Sequence, residues 1–253
     1  MLKRIEHDAI LELNLDRPPA NALNQALLTE LADAIDGAAD EGHGAVFLSG
    51  RAGIFSGGLD VPELLGLDRD GIDGLWRSLF KVMNAIARSN VPVAAAITGH
   101  SPAGGAVLTL FCDYRVMAEG SFRIGLNEVQ VGLTLTEAIY GPLARLVGVR
   151  QAERLAVSGA LVQADEALRL GWVDEVAPVE EVVPRALQAM SGLLALPRKA
   201  MLDTRSLMRA DLVAFLDDNS VEESELTDRW FSDETQAAMR ALVARLAEKA
   251  AAR

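Results

Sequence analysis

Residues 53–63 read GIFSGGLDVPE, a glycine-rich loop that runs into acidic residues. Asp60 is of a type that caps helix N-termini, and Glu63 stands three positions later, where its side chain can return a hydrogen bond to the cap. The spacing predicts a helix that opens directly after Leu59. The pair Gly57-Gly58 before this helix leaves backbone N–H groups facing outward, and such groups are good oxyanion donors. The plainer interpretation is that the glycine pair only makes a tight turn.

A second loop of small residues has the same relation to a helix. It reads GHSPAGG at residues 99–105 and leads into the apolar run 106–111, which is followed by the strand-like Tyr114-Arg115-Val116-Met117. Two loops that each deliver the chain to a helix N-terminus provide two places where backbone N–H groups can face a ligand.

Strands and helices alternate on both sides of these loops. Residues 11–15 alternate apolar and polar side chains, as a half-buried strand does, whereas residues 45–48 and 93–97 are apolar throughout, as in buried parallel strands. Helical spacing of apolar residues runs from Asn24 to Ala38 and from Leu75 to Ala87. A further strand is predicted at 173–176, and residues 180–253 read as consecutive helices. The pattern predicts an α/β core with an α-helical C-terminal extension.

Composition limits the classes of protein to which the chain can belong. With 253 residues it is long enough for one large domain, and half of the residues are apolar without any run of 18 that could span a bilayer. The formal charge of −12 opposes a nucleic-acid partner, because affinity for nucleic acid rests on clustered Lys and Arg. A phosphorylated small molecule remains compatible with this charge.

Cysteine and histidine usage argues against a disulfide framework and against a zinc site. Cys112 is the one cysteine, and the histidines at positions 7, 43 and 100 lack the close spacings of metal ligands. The chain starts MLKRIEHD, without an apolar segment or a small-residue cleavage site. We therefore expect no secretory signal and a cytoplasmic location.

Three segments resemble the signatures of the crotonase superfamily, the enoyl-CoA hydratases and isomerases. The first is residues 53–61, the second is residues 97–105 together with 112–115, and the third is IGLNEVQVG at 124–132. The amino-acid sequence of the third segment is most similar to that of the mitochondrial-type 3,2-trans-enoyl-CoA isomerases. The similarity extends from the PPANAL turn at 18–23 to Phe231-Ser232.

The resemblance implies a site for a coenzyme A thioester. The backbone N–H groups of Leu59 and Gly104 would form an oxyanion hole, and Glu128 would be the general acid/base. Coenzyme A is part of the substrate, so no separate cofactor is implied. By family position the residues that contact the coenzyme are Ala20, Gly57, Leu59, Val61 and Gly104. Arg205 matches a basic position near the coenzyme's phosphates, although a solvated helix cation is an equal interpretation.

The resemblance also favours isomerisation over hydration. Family hydratases carry a second glutamate three residues after the oxyanion-hole glycine, and here that position is Val107. Glu137 could supply a second carboxylate, but an exposed residue at a helix start is the simpler interpretation. We expect His100 to be a packed loop residue and Cys112 to be a buried small residue without a nucleophilic role. Hydration, or acyl-CoA binding without catalysis, remains an alternative.

For the whole chain the resemblance implies a spiral of ββα units. Residues 1–190 would form this core, and residues 191–253 would form a helical region used in trimerisation and in covering the active site. The expected assembly is a homotrimer or a dimer of trimers. The expected reaction moves a 3-enoyl double bond to give trans-2-enoyl-CoA in fatty-acid β-oxidation.

Overall fold

The computed structural model describes residues 1–217 and 223–251, in which strands and helices alternate before the chain becomes helical. The strands are β1 (Leu2–His7), β2 (Ile10–Leu15), β3 (Ala45–Ser49), β4 (Gly53–Ile54), β5 (Val93–Ile97), β6 (Gly99–Pro102), β7 (Tyr114–Ala118), β8 (Arg123–Gly125), β9 (Val162–Gln163) and β10 (Glu175–Ala177). The first seven helices are α1 (Gln25–Gly37), α2 (Val61–Leu64), α3 (Arg69–Arg88), α4 (Gly104–Leu110), α5 (Glu137–Val147), α6 (Val149–Ser158) and α7 (Ala164–Leu170). The rest are α8 (Val182–Leu194), α9 (Arg198–Met208), α10 (Ala210–Asp217), α11 (Glu223–Trp230) and α12 (Asp233–Ala251), and a 3-10 turn spans Glu128–Val131. The predicted α/β core with a helical extension is confirmed.

The larger sheet has six strands in the order β1-β2-β3-β5-β7-β10. Only β1 and β2 pair antiparallel; the other pairs are parallel. Every residue of β3 and β5 is buried, which is why these strands, apart from Ser49 at the end of β3, are apolar instead of alternating.

Both faces of this sheet are covered. Side chains alternate between the faces, so Phe47 packs with Ala186 and Met190 of α8, while Val46 and Leu48 belong to the main core on the other side. The main core includes residues of α1 and α3. In the ranges that the structure describes, no helix has both the length and the apolar character needed to cross a membrane.

A second sheet, β4-β6-β8-β9, is built from strands of two to four residues. A Cβ at Gly99 would lie 1.9 Å from the carbonyl carbon of Gly53, so glycine is required where β6 passes β4. The sequence did not predict these strands, because all four are too short to show a period, and β4 and β6 also lie within the small-residue loops. The strand predicted at 173–176 is present as β10, which begins two residues later. The sequence did not predict β1.

The helix predicted after Leu59 is confirmed. Of the two hydrogen bonds predicted for its cap, one is present and the other is not. Asp60 accepts from the Glu63 N–H at 3.1 Å. The reciprocal bond is absent, because the Asp60 N–H donates to the Leu23 carbonyl at 2.9 Å and the Glu63 carboxylate accepts instead from the Asn24 amide at 3.0 Å. The helix start is thereby joined to the turn that precedes α1.

A buried ion cluster joins the C-terminal helices to the core. Arg205 of α9 donates to Asp113 at 2.8 and 2.9 Å, and Arg209 donates to the same carboxylate at 2.9 Å. Asp113 also accepts from the Val93 N–H at 2.8 Å. The sequence suggested either a cation near the coenzyme's phosphates or a solvated helix cation at Arg205. Both interpretations are wrong, because the Arg205 side chain is only 12% exposed and is held by a carboxylate.

We expect Asp113→Ala to lower the free energy of unfolding by about 3–5 kcal/mol, because it leaves two buried guanidinium groups without their carboxylate. Asp203→Ala is the matched control: Asp203 forms an exposed ion pair with Lys199, and its loss should cost less than about 1 kcal/mol. Urea unfolding measures both values. Equal losses in the two variants would contradict this account of the cluster.

Candidate active site

One large cavity, with a volume of about 1440 Å³, lies between the two small-residue loops, the 3-10 turn and the C-terminal helices. Leu226 of α11 and Met239 of α12 are among the residues that close it. Six residues to which the resemblance gave a role line this cavity: Ala20, Gly57, Leu59, Val61, Gly104 and Glu128. Arg205 is not part of the lining.

Backbone hydrogen bonds hold the first loop beside the turn at residues 20–23. The Gly57 N–H donates to the Ala20 carbonyl at 2.8 Å, and the Leu23 N–H donates to the Gly58 carbonyl at 2.8 Å. Together with the bond from Asp60 to Leu23, these contacts fix the path of the chain on both sides of Leu59.

The two loops touch at Gly58 and Ala103. Gly58 has φ +85°, and a Cβ there would lie 3.2 Å from both the Ala103 Cβ and the Pro102 carbonyl oxygen. Glycine is required for both reasons, since it adopts positive φ without strain and leaves room for the second loop. Ala103, at the start of α4, itself has φ 48°, a strained conformation of the kind that proteins keep at functional sites.

This contact brings two free N–H groups together. A Cβ at Gly104 would lie 3.5 Å from the Leu59 nitrogen, so the two loops present these residues side by side. Neither the Leu59 nor the Gly104 N–H donates to another group in the described part of the chain. The pair can therefore donate two hydrogen bonds to one oxygen atom in the cavity.

Glu128 stands at the start of the 3-10 turn, and its carboxylate is poorly solvated. Its Oε2 atom is buried and has no hydrogen-bond partner, although the residue as a whole is partly exposed to the cavity. Burial raises the pKa of the Glu128 carboxyl to about 7, against a weaker opposing effect of its own backbone N–H. A carboxyl group with such a pKa can both take and return a proton near neutral pH.

The two positions weighed for a second carboxylate do not supply one to the cavity. Val107 is buried and lines the cavity from α4, where it can neither hold nor deprotonate water. Glu137 is exposed in the first turn of α5 and is not part of the lining, as its simpler interpretation predicted. Within residues 1–217 and 223–251, no three His, Cys, Asp or Glu side chains group as metal ligands do.

Cys112 has the structural role expected of it, whereas the packed position expected of His100 is wrong. His100 is exposed and lines the cavity, where its Nδ1 accepts from the Arg123 N–H at 3.2 Å and its ring meets Phe122 edge-on. Cys112 is buried outside the cavity lining, and burial raises the pKa of its thiol to about 12, which keeps it unreactive.

The resemblance implied that residues 191–253 cover the active site, but the sequence did not indicate which of their side chains form the cavity wall. Trp76 of α3 meets Trp230 of α11 edge-on, with ring centroids 6.4 Å apart, and Thr235 of α12 donates to the Gly132 carbonyl at 2.7 Å. These contacts hold α11 and α12 over the cavity. Helical periodicity shows that such helices have an apolar face, but it does not show which part of the core that face covers.

Arginine side chains surround the cavity mouth. Arg17 is bound by Asp60 and Glu63, and Arg229 is bound by Glu225. Arg51 donates to the Pro19 carbonyl, while its Nε is buried without a partner. Arg51 and Arg123 have no carboxylate partner among the described ion pairs, which leaves positive charge available at the mouth of the cavity.

Comparison with known proteins identifies relatives over most of the chain. The family model described as enoyl-CoA hydratase/isomerase matches residues 6–251. The human mitochondrial enoyl-CoA delta isomerase 1 is 35% identical over 211 residues, which are 81% of this chain and 70% of the relative. A probable enoyl-CoA hydratase of Mycobacterium avium is 34% identical over 191 residues, or 75% of this chain and 74% of the relative. The crystal structure of human mitochondrial delta3-delta2-enoyl-CoA isomerase superposes with a TM-score of 0.91 at 31% identity, and the match covers 98% of each chain.

Because Glu128 is buried, the stability of the folded chain should depend on pH. The ordinary pKa of this carboxyl is 4.5, so from pH 4.5 to about 7 the folded chain binds a proton that the unfolded chain has released. Stability should therefore fall as pH rises through this window. We expect Glu128→Gln to be more stable than the unaltered protein by up to about 3 kcal/mol at about pH 8, with little difference at about pH 5.

Urea unfolding at the two pH values measures this difference. Glu137→Gln is the matched control, because Glu137 is exposed and its substitution should give no such pH-dependent gain. A Glu128→Gln variant that is no more stable at high pH than at low pH would show that the carboxylate is solvated.

Proposed function

Because the chain belongs to the enoyl-CoA hydratase/isomerase family, we propose that it is an isomerase that converts 3-enoyl-CoA into trans-2-enoyl-CoA. One observation carries the proposal: Glu128 lines the same cavity as the two free N–H groups of Leu59 and Gly104, and valine occupies position 107. The other carboxylate of the described cavity lining, Asp60, is held in an ion pair with Arg17. The similarity to isomerases over most of the chain supports it.

The reaction begins with loss of a proton from C2 of the substrate, the carbon next to the thioester carbonyl. The Glu128 carboxylate takes this proton, and negative charge moves to the thioester oxygen. The N–H groups of Leu59 and Gly104 donate to that oxygen; one such donor is worth about 3–4 kcal/mol to a transition state. Glu128 then returns the proton to C4, which leaves the double bond between C2 and C3.

A single carboxylate suits this sequence of steps better than it suits hydration. In isomerisation the group that removes the proton is free to return it, since the two carbons belong to the same allylic system. Hydration also requires a second carboxylate, which holds a water molecule for attack at C3. Position 107 supplies a valine instead, and Glu137 lies outside the cavity lining. Both features support isomerisation.

The mouth of the cavity suits the coenzyme. The segment from Gly57 to Val61 and the turn at Ala20 would lie along the adenine and pantetheine. Arg51 and Arg123 provide positive charge for the phosphates, in place of the Arg205 that the sequence suggested. The acyl chain would enter the part of the cavity that is walled by Trp76, Leu226 and Met239. The reaction needs no cofactor beyond the coenzyme A of the substrate.

The proposal places the protein in fatty-acid β-oxidation, where unsaturated chains yield 3-enoyl-CoA intermediates. A cytoplasmic location, a trimer or a pair of trimers, and the use of residues 191–253 in assembly are parts of the same proposal. The alternative of a non-catalytic acyl-CoA binder is disfavoured by the Glu128 carboxyl, because a binder gains nothing from a partnerless buried carboxylate.

An assay with two substrates tests the proposal. The purified protein should form the conjugated enoyl thioester from 3-hexenoyl-CoA, with little loss of absorbance from crotonyl-CoA. We expect Glu128→Gln to lower kcat for isomerisation by about 10²–10⁴-fold and to leave coenzyme A binding nearly intact. Ultraviolet absorbance of the conjugated thioester follows both reactions.

Glu137→Gln is again the matched control and should retain the kcat of the unaltered protein. Rapid loss of crotonyl-CoA absorbance would identify a hydratase instead. Binding of both thioesters without turnover would favour the non-catalytic alternative.

A further inference from the structure

Three oxygen atoms on one segment of the cavity wall have no hydrogen-bond partner in the described part of the chain. They are Asn127 Oδ1, Glu128 Oε2 and Thr136 Oγ1, and all three residues line the cavity. The other partnerless polar atoms of the lining, Arg51 Nε and Trp76 Nε1, are nitrogens of different segments. A buried oxygen without a partner is costly, so each of the three calls for a hydrogen-bond partner.

Two of these residues lie at N-cap positions, but their side chains do not make the capping hydrogen bond. Thr136 is the residue before α5 and Asn127 is the residue before the 3-10 turn, yet neither side chain accepts from a backbone N–H. A capping bond from such a side chain would stabilise the start of the helix or turn. Thr136 is only 4% exposed, so water at the protein surface does not replace the missing bond.

The backbone holds the segment in a compact turn. The Gln130 N–H donates to the Asn127 carbonyl at 3.0 Å, and the Leu133 N–H donates to the Glu128 carbonyl at 3.0 Å. Thr136 follows three residues after Leu133. The lining around these oxygens is apolar, with Val107, Val131 and Ile139 among its members.

We propose that Asn127, Glu128 and Thr136 hold one water molecule that stays in place when substrate is bound. Buried waters typically make about three hydrogen bonds to polar groups that lack other partners, which is the number of oxygens offered. The water donates to Asn127 Oδ1 and to the Glu128 carboxylate, and the Thr136 hydroxyl donates to the water. Asn127 and Thr136 are thus positioning residues that act through this water.

The role of the water rests on the proposed isomerase function. After Glu128 has taken the proton from C2, its O–H can pass that proton to the water and receive another from it. The carboxyl group is neutral before and after this exchange, and the water molecule is regenerated. Glu128 then delivers the received proton to C4. The water therefore lets the transferred hydrogen exchange with solvent between the two steps.

Isomerisation of 3-hexenoyl-CoA in D₂O tests the water site. Under single-turnover conditions, mass spectrometry gives the fraction of trans-2-hexenoyl-CoA that carries deuterium at C4. We expect the unaltered protein to incorporate deuterium. Thr136→Val and Asn127→Leu, which remove one oxygen each with little change of shape, should lower that fraction severalfold. The fraction is counted per product molecule, so a slower turnover does not imitate the effect.

Two further variants separate the water site from a general effect on folding. Thr134→Val makes the same change on the same segment, but Thr134 is exposed, and the deuterium fraction should not move. Thr136→Ser keeps the hydroxyl and should restore the fraction seen in the unaltered protein. Product without deuterium from the unaltered protein, or an unchanged fraction in both Thr136→Val and Asn127→Leu, would overturn the water site alone. Absence of isomerisation by the unaltered protein would instead overturn the proposed function.

Discussion

The close contact between Gly58 and Ala103 is the constraint on which the candidate site depends. It brings the ends of two separate loops together, and each loop then presents one N–H that has no acceptor in the described chain. The contact needs glycine on one side and a strained alanine on the other. The neighbouring parallel strands β3 and β5 lead into the two loops, and hydrogen bonds with the Leu23 backbone hold the first loop, so the rigid core supports the strain.

The electrostatics of the cavity follow from this arrangement. Two donors without acceptors and one carboxylate without a donor share an apolar space, where each interaction is stronger than it would be in water. Burial keeps the pKa of Glu128 near 7, so the carboxyl changes its protonation state at little cost near neutral pH. The same burial destabilises the folded chain above that pH. The burial that lets Glu128 take and return a proton in the proposed function therefore also lowers the stability of the folded chain.

Periodicity predicted the buried strands β3 and β5 and the helices α1 and α3, because these elements are long enough to show a period. It missed β4, β6, β8 and β9, which have two to four residues each and are set by glycine contacts between distant segments. The capping spacing gave Glu63 the wrong partner, and the resemblance gave Arg205 the wrong one, since Asn24 and Asp113 are brought to these residues only by the tertiary fold. The cavity-lining positions of Leu59, Gly104 and Glu128 came from the resemblance, whereas Asn127 and Thr136 became candidates only when the structure showed that their buried side-chain oxygens have no hydrogen-bond partner in the described chain.

The central claim is that the Leu59 and Gly104 N–H groups bind one thioester oxygen while Glu128 faces the neighbouring carbon. A crystal structure with a saturated acyl-CoA, which has no double bond to move, tests it most directly. The account predicts the thioester oxygen at about 2.7–3.1 Å from both nitrogens, with the Glu128 carboxylate against C2 of the acyl chain. A thioester oxygen that contacts neither nitrogen, or an acyl chain that runs away from Glu128, would contradict it.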